Sequence, residues 1–331
     1  MSPPSRRELL FSVLALPALS QAAPLADRYP VNASLGYVTA LIWSSQRRLH
    51  GGPLPPQSQP AWRALRQAGP AVPPAEWPLR AGYAAFAEAA RHDGDAAAGE
   101  LAVQALRTAI VDTADGPRLT DLRRWTDDLF MAALLFDRTL PLLPTAEQPR
   151  AVEALASSLL GLAEALQRPD GLFDHAEGSP VAWGRGNGFA SLGLALALSG
   201  PLRSHAPLLS RLRTHLLALL ALQGTDGMWR QVLDHAASRG ELTVTAMSLV
   251  ALATARHHGW LPGGAADAAI ARAWAGVQAR VDGQGGFSDV CASTPAGPTP
   301  DFYLQRPIVQ GRDDRAAAMV LLAAAAMATR A

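Results

Sequence analysis

The sequence predicts an all-α protein built from stacked helical hairpins. Apolar residues recur at spacings of three and four along most of the chain, and alanine and leucine dominate these stretches while β-branched residues seldom cluster. An Asp-Gly pair also recurs at Asp170, Asp226 and Asp282, which gives a period of 56 residues twice. A unit of this length holds two helices of about 15 residues with their loops. The chain has room for roughly five and a half such units, which favours a closed ring of six hairpins, with an open solenoid as the alternative.

The helical periodicity locates eight segments, separated by proline and glycine. In chain order, the predicted helices are Leu101–Ile110, Asp121–Leu140, Gln148–Leu166, Gly184–Leu198, Ala206–Leu222, Thr243–His257, Ala265–Ala279 and Asp314–Ala328.

The first 23 residues have the pattern of an export signal. The Arg6-Arg7 pair precedes an apolar run from Leu9 to Leu19, and Ser20-Gln21-Ala22 has the small-x-small spacing of a cleavage site. The paired arginines favour the twin-arginine route, with an ordinary signal as the alternative. We therefore expect residues 1–23 to be removed, residues 24–331 to form one catalytic domain, and the protein to be periplasmic or secreted.

Composition excludes several functional classes. The formal net charge is +1, all 29 cationic side chains are arginine, and neither value fits a nucleic-acid binder that relies on bulk charge. Cys291 is the only cysteine, so an intrachain disulfide and a cysteine-based zinc site are excluded. No histidine pattern typical of a metal site is present. We expect no metal, no cofactor and no contact with a membrane once the signal is removed; the oligomeric state is not indicated.

Two adjacent carboxylates, Asp127 and Asp128, open a long apolar helix. Adjacent helical residues point about 100° apart, so only one of the two can face a pocket. An inward-facing carboxylate among Trp125, Phe130 and Met131 would be desolvated, which raises its pKa toward that of a usable acid. The alternative is that both acids simply favour the start of the helix.

A second group of residues could bind a sugar. In Trp183-Gly184-Arg185-Gly186-Asn187-Gly188-Phe189, the indole offers a flat face and the guanidinium a planar fork for a carboxylate. The spacing differs from that of a dinucleotide loop, and a glycine turn with a packed tryptophan is the alternative. We expect the Asp-Gly corners to share one rim, with the aromatic residue after each either facing the mouth of the ring or closing a hairpin. Cys291 is expected to be a packed thiol.

Seven segments in order, WTDDLFMA, GLFDH, WGRGNGF, DGMWRQ, ELTVTAM, DVCAST and FYLQRP, resemble glycoside hydrolase family 105. Its members are unsaturated rhamnogalacturonyl hydrolases, related to the unsaturated glucuronyl hydrolases of family 88. The resemblance covers roughly residues 82–330 and implies an (α/α)6 barrel.

The resemblance also implies an activity. Such enzymes remove the unsaturated uronic acid at the non-reducing end of pectin fragments by hydrating its C4=C5 double bond. The family acid falls on Asp127. Family binding residues fall on His175, Trp183, Arg185 and Phe189, and Trp229 of the DGMWRQ segment is expected to join them. An unsaturated oligosaccharide is therefore the expected partner.

Two departures from the family pattern keep other functions open. A second family aspartate is absent before Gly82, where only Glu76 could substitute, and the glycine after the family acid is Asp128 here. A divergent, weakly active or inactive exported carbohydrate-binding protein is one alternative. A polysaccharide lyase or ordinary glycosidase on the same scaffold is another, and it would need a second inward carboxylate.

Overall fold

The structure, a computed structural model, describes residues 22–68 and 73–329. The predicted export signal, residues 1–23, lies outside the described residues except for Ala22 and Ala23. The described helices, in chain order, are α1 (Tyr37–His50), α2 (Gln59–Ala68), α3 (Trp77–Arg80), α4 (Ala84–Asp93), α5 (Ala96–Arg107), α6 (Thr126–Thr139), α7 (Gln148–Leu166), α8 (Gly184–Ser199), α9 (Ala206–Leu222), α10 (Leu242–His257), α11 (Ala265–Gln278), α12 (Pro300–Leu304) and α13 (Asp314–Ala328).

Two concentric layers of helices make up the fold. The inner layer consists of α1, α3 with α4, α6, α8, α10 and α13, and each of these packs against the next. The last helix, α13, packs against α1, so the ring closes. Helices α5, α7, α9 and α11 lie outside and pack on the inner helix that precedes each or lies beside it. The predicted six-hairpin ring, the (α/α)6 barrel, is confirmed, and the open solenoid is excluded.

Burial explains the two layers. Inner helices α8 and α10 are rich in alanine and leucine and are buried on nearly every side, as expected for helices surrounded by others. Outer helix α7 buries one stripe that includes Leu155, Leu159 and Leu162 and exposes its opposite face. Small side chains on the inner helices let them approach closely around the ring.

Three two-stranded antiparallel sheets lie in the loops of the described residues. They are β1 (Ile110–Thr113) with β2 (Gly116–Leu119), β3 (Trp229–Arg230) with β4 (Gly240–Glu241), and β5 (Phe287–Cys291) with β6 (Ile308–Gly311). The sequence did not predict the hairpin of β1 and β2. The helix predicted to begin at Asp121 starts at Thr126 in the structure.

At the repeated Asp-Gly corners, hydrogen bonds link an outer helix to the next outer helix around the ring. Gln167 and Gln223 end α7 and α9, and each amide donates to the glycine carbonyl of its own corner and to a carbonyl of the following outer helix. Gly227 has a φ of +83°, and a Cβ there would lie 2.1 Å from the Arg272 carbonyl oxygen. Only glycine fits such a position. The 56-residue period therefore records a repeated joint between outer helices.

The corners share one rim, but the aromatic residues after them do not face its opening. The amides of Phe173 and Trp229 bond to Asn187 and Thr245, near the starts of α8 and α10. Both aromatic side chains are fully buried, and that of Phe287 is 3% exposed. Phe173 packs edge-on against His215 of α9. These rings close the hairpin ends, which was the alternative interpretation.

The segment that follows the predicted signal is anchored on the ring. Residues 22–26 are helical, and Leu25, Ala26 and Tyr29 are buried in the core. The Tyr29 hydroxyl donates to the Gly285 carbonyl at 2.6 Å, and Asp314 of α13 accepts from two backbone amides of this segment, at 2.7 and 2.9 Å. None of the described helices is long and apolar enough to cross a membrane.

Candidate active site

Inner helices begin at the same rim, and their first residues meet at its centre. Tyr37 starts α1, Asp127 is in the first turn of α6, Arg185 in that of α8, and Asp313 precedes α13. Charges on Asp127, Arg185 and Asp313 all act on the Tyr37 hydroxyl. We call this group, together with His175, the mouth. Burial raises the pKa of Tyr37 to about 12, so its phenol stays protonated.

The two adjacent aspartates at the start of α6 have different surroundings. Asp128 is 2% exposed and accepts a hydrogen bond from the Trp125 amide at 3.1 Å, which caps the helix. Burial raises the pKa of Asp128 to about 7. The Asp127 side chain is 23% exposed, and its Oδ2 lies 3.5 Å from Nε2 of His175. Asp127 therefore faces the mouth. The strongly desolvated carboxylate is Asp128, not the inward-facing one that the sequence predicted.

His175 is held rigidly beside Asp127. It is fully buried, and its backbone is bonded on both sides, from its amide to the Val181 carbonyl and from the Thr126 amide to its own carbonyl. Its Nδ1 lies 2.6 Å from the Tyr303 hydroxyl. Its Nε2 has no hydrogen-bond partner among the described residues and points toward Asp127. The sequence placed both residues in one site, and the structure brings them together.

Arg185 forms a buried ion pair. Its Nη2 lies 3.4 Å from Glu241, and its Nε donates to Thr243 at 2.9 Å. Nη2 also donates to the Cys291 carbonyl, while the Cys291 amide donates to Glu241. Burial opposes the charge of Arg185, but the Glu241 carboxylate and weaker acidic neighbours together outweigh it and raise the pKa of Arg185. Nη1 of Arg185 makes no hydrogen bond with a described residue, so this nitrogen is the one left for a ligand.

Three of the predicted binding aromatics are buried. Phe189 is 1% exposed and stacks on Phe130 below the mouth. Trp183 is 2% exposed and packs against His175, with ring centroids 4.4 Å apart. Trp229 is fully buried, and its Nε1 donates to a carbonyl at the end of α9. Trp229 therefore belongs to the core, and its prediction as a binding residue is wrong. Trp183 and Phe189 support the mouth without presenting a free face in this structure.

Two half-buried aromatics at the mouth were not predicted as site residues. Trp125 lies edge-on to His175 at 5.1 Å, and Tyr37 lies edge-on to Phe130 and Phe189. Both keep part of their rings exposed. Trp125 could have been found from its place in the WTDDLFMA segment, two residues before the expected acid. Tyr37 lies in a region without a motif, so no pattern in the sequence points to it.

The glycines of the WGRGNGF segment face protein atoms. A Cβ on Gly184 would lie 2.3 Å from the Arg230 carbonyl oxygen, and one on Gly186 would lie 2.6 Å from the Thr126 hydroxyl. These glycines let α8 pack closely against its neighbours, which supports the structural interpretation of this segment. Cys291 is a buried free thiol, as predicted.

The sequence model of Glycosyl Hydrolase Family 88 matches residues 117–331, more than half of the chain. The chain belongs to this family. A solved structure described as a possible member of family GH105, from Klebsiella pneumoniae, is 17% identical, with a TM-score of 0.77 over 99% of this chain and 96% of that one. The unsaturated glucuronyl hydrolase of Bacillus sp. GL1 is 15% identical, with a TM-score of 0.65 over 93% and 95%. A polysaccharide lyase is 14% identical, with a TM-score of 0.78 over 94% and 98%. No protein of curated function shows significant sequence similarity to the chain.

Membership of family 88 and the six-hairpin fold agree with the resemblance stated from the motifs, and they identify the protein as a glycoside hydrolase acting on oligosaccharides. Among the described residues, no group of histidine, cysteine or acidic side chains could hold a metal ion.

Glu76 does not take the place of the missing family aspartate. It is exposed at the start of α3, and the charged group on which it acts is Arg80 of the same helix. No hydrogen bond or ion pair joins the Glu76 side chain to a described residue of the mouth. This family-88 chain therefore lacks a carboxylate at that position.

The carboxylates at the mouth and directly around it differ in how many hydrogen bonds their oxygens accept. Glu241 accepts from Arg185, Thr243 and two backbone amides. Asp313 is bonded to Arg315 and to a backbone amide, and although burial opposes its charge, these bonds lower the pKa of Asp313. Asp128 caps its helix. Asp127 has only two long contacts, 3.4 Å to the Thr126 hydroxyl and 3.5 Å to His175. It is the mouth carboxylate that is free to exchange a proton with a ligand.

Proposed function

We propose that the protein removes a 4,5-unsaturated uronic acid from the non-reducing end of rhamnogalacturonan oligosaccharides by hydrating the C4=C5 double bond. One observation carries this proposal: the mouth offers a single uncommitted carboxylate, Asp127, beside a buried histidine and an arginine. Displacement at the anomeric carbon needs two free carboxylates on opposite sides of the bond. Hydration of a double bond needs one group that first donates and then accepts a proton.

The proposed steps balance. Asp127 donates its proton to C4, and the π electrons of the double bond form the new C4–H bond. The positive charge left at C5 is shared by the ring oxygen. Water adds at C5 and returns one proton to Asp127. The C5 hemiketal then opens: its bond to the ring oxygen breaks, C5=O forms, and the hydroxyl proton passes to the ring oxygen. The hemiacetal left at C1 collapses to an aldehyde and releases the rest of the oligosaccharide as an alcohol, leaving a keto sugar.

Arg185 and Trp125 would bind the substrate on either side of Asp127. The free Nη1 of Arg185 suits a carboxylate, and the half-exposed ring of Trp125 suits the face of a sugar. The Tyr37 phenol, which stays protonated, can donate to a sugar oxygen.

The test is the ultraviolet absorbance of an unsaturated rhamnogalacturonan disaccharide, which disappears when C4=C5 is hydrated. We expect wild-type protein to abolish this absorbance and Asp127→Asn to reduce kcat by about 10²- to 10⁴-fold, with the folded state unchanged by circular dichroism. If wild-type protein binds the disaccharide and leaves its absorbance intact, the hydration is excluded. If Asp127→Asn retains the full rate, the acid is another residue.

A second function is favoured by one observation: Glu76, the only candidate to replace the missing family acid, is exposed. A protein that binds unsaturated oligosaccharides without turning them over would fit it. Binding measured by calorimetry with no loss of absorbance would support this second function.

We also infer that the protein acts outside the cytoplasm, on the basis of the sequence pattern of residues 1–23. Fractionation of cells that express the full chain tests this inference. Recovery of the protein from the cytoplasm alone would contradict it.

A further inference from the structure

A chain of hydrogen bonds runs from the mouth into the loop that carries α12. The Tyr303 hydroxyl lies 2.6 Å from Nδ1 of His175 and 2.8 Å from Oγ of Ser179, and the Gly297 amide donates to it at 2.9 Å. Ser179 in turn donates to the Gly297 carbonyl. Tyr303, Ser179 and His175 are each at most 2% exposed. The polar atoms of these buried groups therefore serve as hydrogen-bond partners for one another.

The number of protons in this chain fixes the direction of each bond. A tyrosine or serine hydroxyl has one proton to donate. Ser179 gives its proton to the Gly297 carbonyl, so toward Tyr303 it can only accept. The proton of Tyr303 must then go to Ser179, because two facing oxygen lone pairs at 2.8 Å would repel. The Tyr303 oxygen is left as an acceptor, and Nδ1 of His175 must be the donor to it.

We propose that Tyr303 is a positioning residue that, together with Ser179, keeps a proton on Nδ1 of His175, so that Nε2 and Asp127 share one proton at the mouth. The tautomer of a histidine is set by the hydrogen bond of its other nitrogen. With Nδ1 protonated, neutral His175 presents a lone pair to Oδ2 of Asp127 at 3.5 Å. Two lone pairs face each other there unless a proton lies between them, on the carboxyl or on the imidazole.

The shared proton would serve the hydration proposed above, and its role in catalysis rests on that proposed function. The shared proton is the one that Asp127 delivers to C4. After delivery, the carboxylate faces a lone pair, so taking a proton from the attacking water restores the favourable state. A histidine with its proton on Nε2 would instead donate to Asp127 and hold it as the carboxylate.

The loop around Tyr303 is built to hold the phenol in place. Gln231 donates to the Tyr303 carbonyl, and Arg306 donates to the Ser293 carbonyl at 2.7 Å. Phe302 packs directly on Gly297, since a Cβ there would lie 2.1 Å from the phenyl ring. Tyr303 also belongs to a small apolar cluster with Trp183. These contacts act on the orientation of the phenol and do not reach the substrate.

The test is the protonation of the His175 ring in the full chain, read by NMR with ¹⁵N-labelled histidine and assigned by comparison with His175→Gln. We expect a protonated Nδ1 in wild-type protein. In Ser179→Ala, the Tyr303 proton has only Nδ1 as acceptor, so the histidine proton should move to Nε2. A wild-type ring with bare Nδ1 would overturn the proposal, and so would a Ser179→Ala variant with an unchanged tautomer.

Kinetics supply a second readout. Tyr303→Phe should lower kcat about 10-fold or more while KM stays within about twofold, because the phenol orders the acid and does not touch the sugar. The matched control is Tyr29→Phe, which removes another buried phenol hydroxyl and should change neither the His175 spectrum nor kcat. An equal loss of kcat in both variants would reduce Tyr303 to a structural role. If wild-type protein hydrates no sugar, the proposed function fails, and the NMR result still decides the tautomer.

Discussion

Asp127 and Asp128 are neighbours in the chain, but their carboxylates lie in opposite environments. The Asp127 side chain is 23% exposed and points toward His175, whereas Asp128 is 2% exposed and caps its own helix. The helical twist separates their directions, so one faces the mouth and the other caps the helix.

The buried acid makes stability depend on pH. The pKa of Asp128 is about 7 in the folded protein against 3.8 for an ordinary aspartate. Between these values the folded state holds a proton that the unfolded state has released. The free energy of unfolding should therefore fall as pH rises from about 4 to about 7, by up to about 1.4 kcal/mol per pH unit, and level off above that.

Urea unfolding at several pH values measures this slope, and Asp128→Asn is the reference. The amide keeps an oxygen for the Trp125 amide and carries no charge, so the variant should lack the slope. Equal slopes in the two proteins would show that Asp128 does not bind this proton.

Breaking the buried pair of Arg185 and Glu241 should destabilise the protein. Glu241→Gln leaves the guanidinium charge buried without a counter-charge, which costs about 3 kcal/mol. Thermal unfolding followed by calorimetry should show a lower Tm. Glu147→Gln is the control, because its pair with Arg107 is exposed on both sides and its loss should leave Tm unchanged. A similar Tm for Glu241→Gln and wild type would mean that the pair adds no stability.

The corner glycine at 227 should not tolerate a side chain. Gly227→Ala forces a positive φ on alanine, at a cost of about 1–2 kcal/mol, and its methyl group would collide with the Arg272 carbonyl. Gly161→Ala tests the same change in helix α7, where a Cβ meets nothing within 4 Å, and it should stabilise by up to about 1 kcal/mol. Chemical unfolding measures both, and a stable Gly227→Ala would show that the joint can relax.

The anchored segment limits where the proposed export signal can be cleaved. Because Leu25, Ala26 and Tyr29 pack in the core, we expect an exported protein to begin near residue 23 and not beyond Pro24. The intact mass of protein recovered outside the cytoplasm checks this expectation. A mature chain that starts beyond Pro24 would contradict it.

Motif order located the residues that meet at the mouth better than it located exposed aromatic faces. Asp127 and Arg185 lie in the first turns of inner helices, and a helix start is a position that sequence can locate. His175 lies in the loop before α8 and is placed by the hydrogen bond from the Thr126 amide to its carbonyl. The aromatic residues were harder to place from the sequence, because the direction of a ring after a turn depends on backbone angles that residue spacing does not reveal. Trp229 therefore lies in the core.

Contacts between distant residues explain the remaining gaps. Tyr303 meets His175 across 128 residues of sequence, and the FYLQRP segment gives no sign of that partner. Residues 50–78 are rich in proline, and the periodicity predicts no helix there. In the structure, Pro60 and Pro78 lie in the first turns of α2 and α3, where proline costs no helical hydrogen bond.

The common starting rim of the inner helices has an electrical consequence. Each inner helix carries about half a positive charge at its beginning. Four of these ends, those of α1, α6, α8 and α13, surround the mouth, so this rim is polar although the formal net charge of the chain is only +1. We expect these ends, with Arg185, to attract the acidic end of a sugar chain. Capture should consequently weaken as ionic strength rises, while the chemical step, which takes place inside, should not.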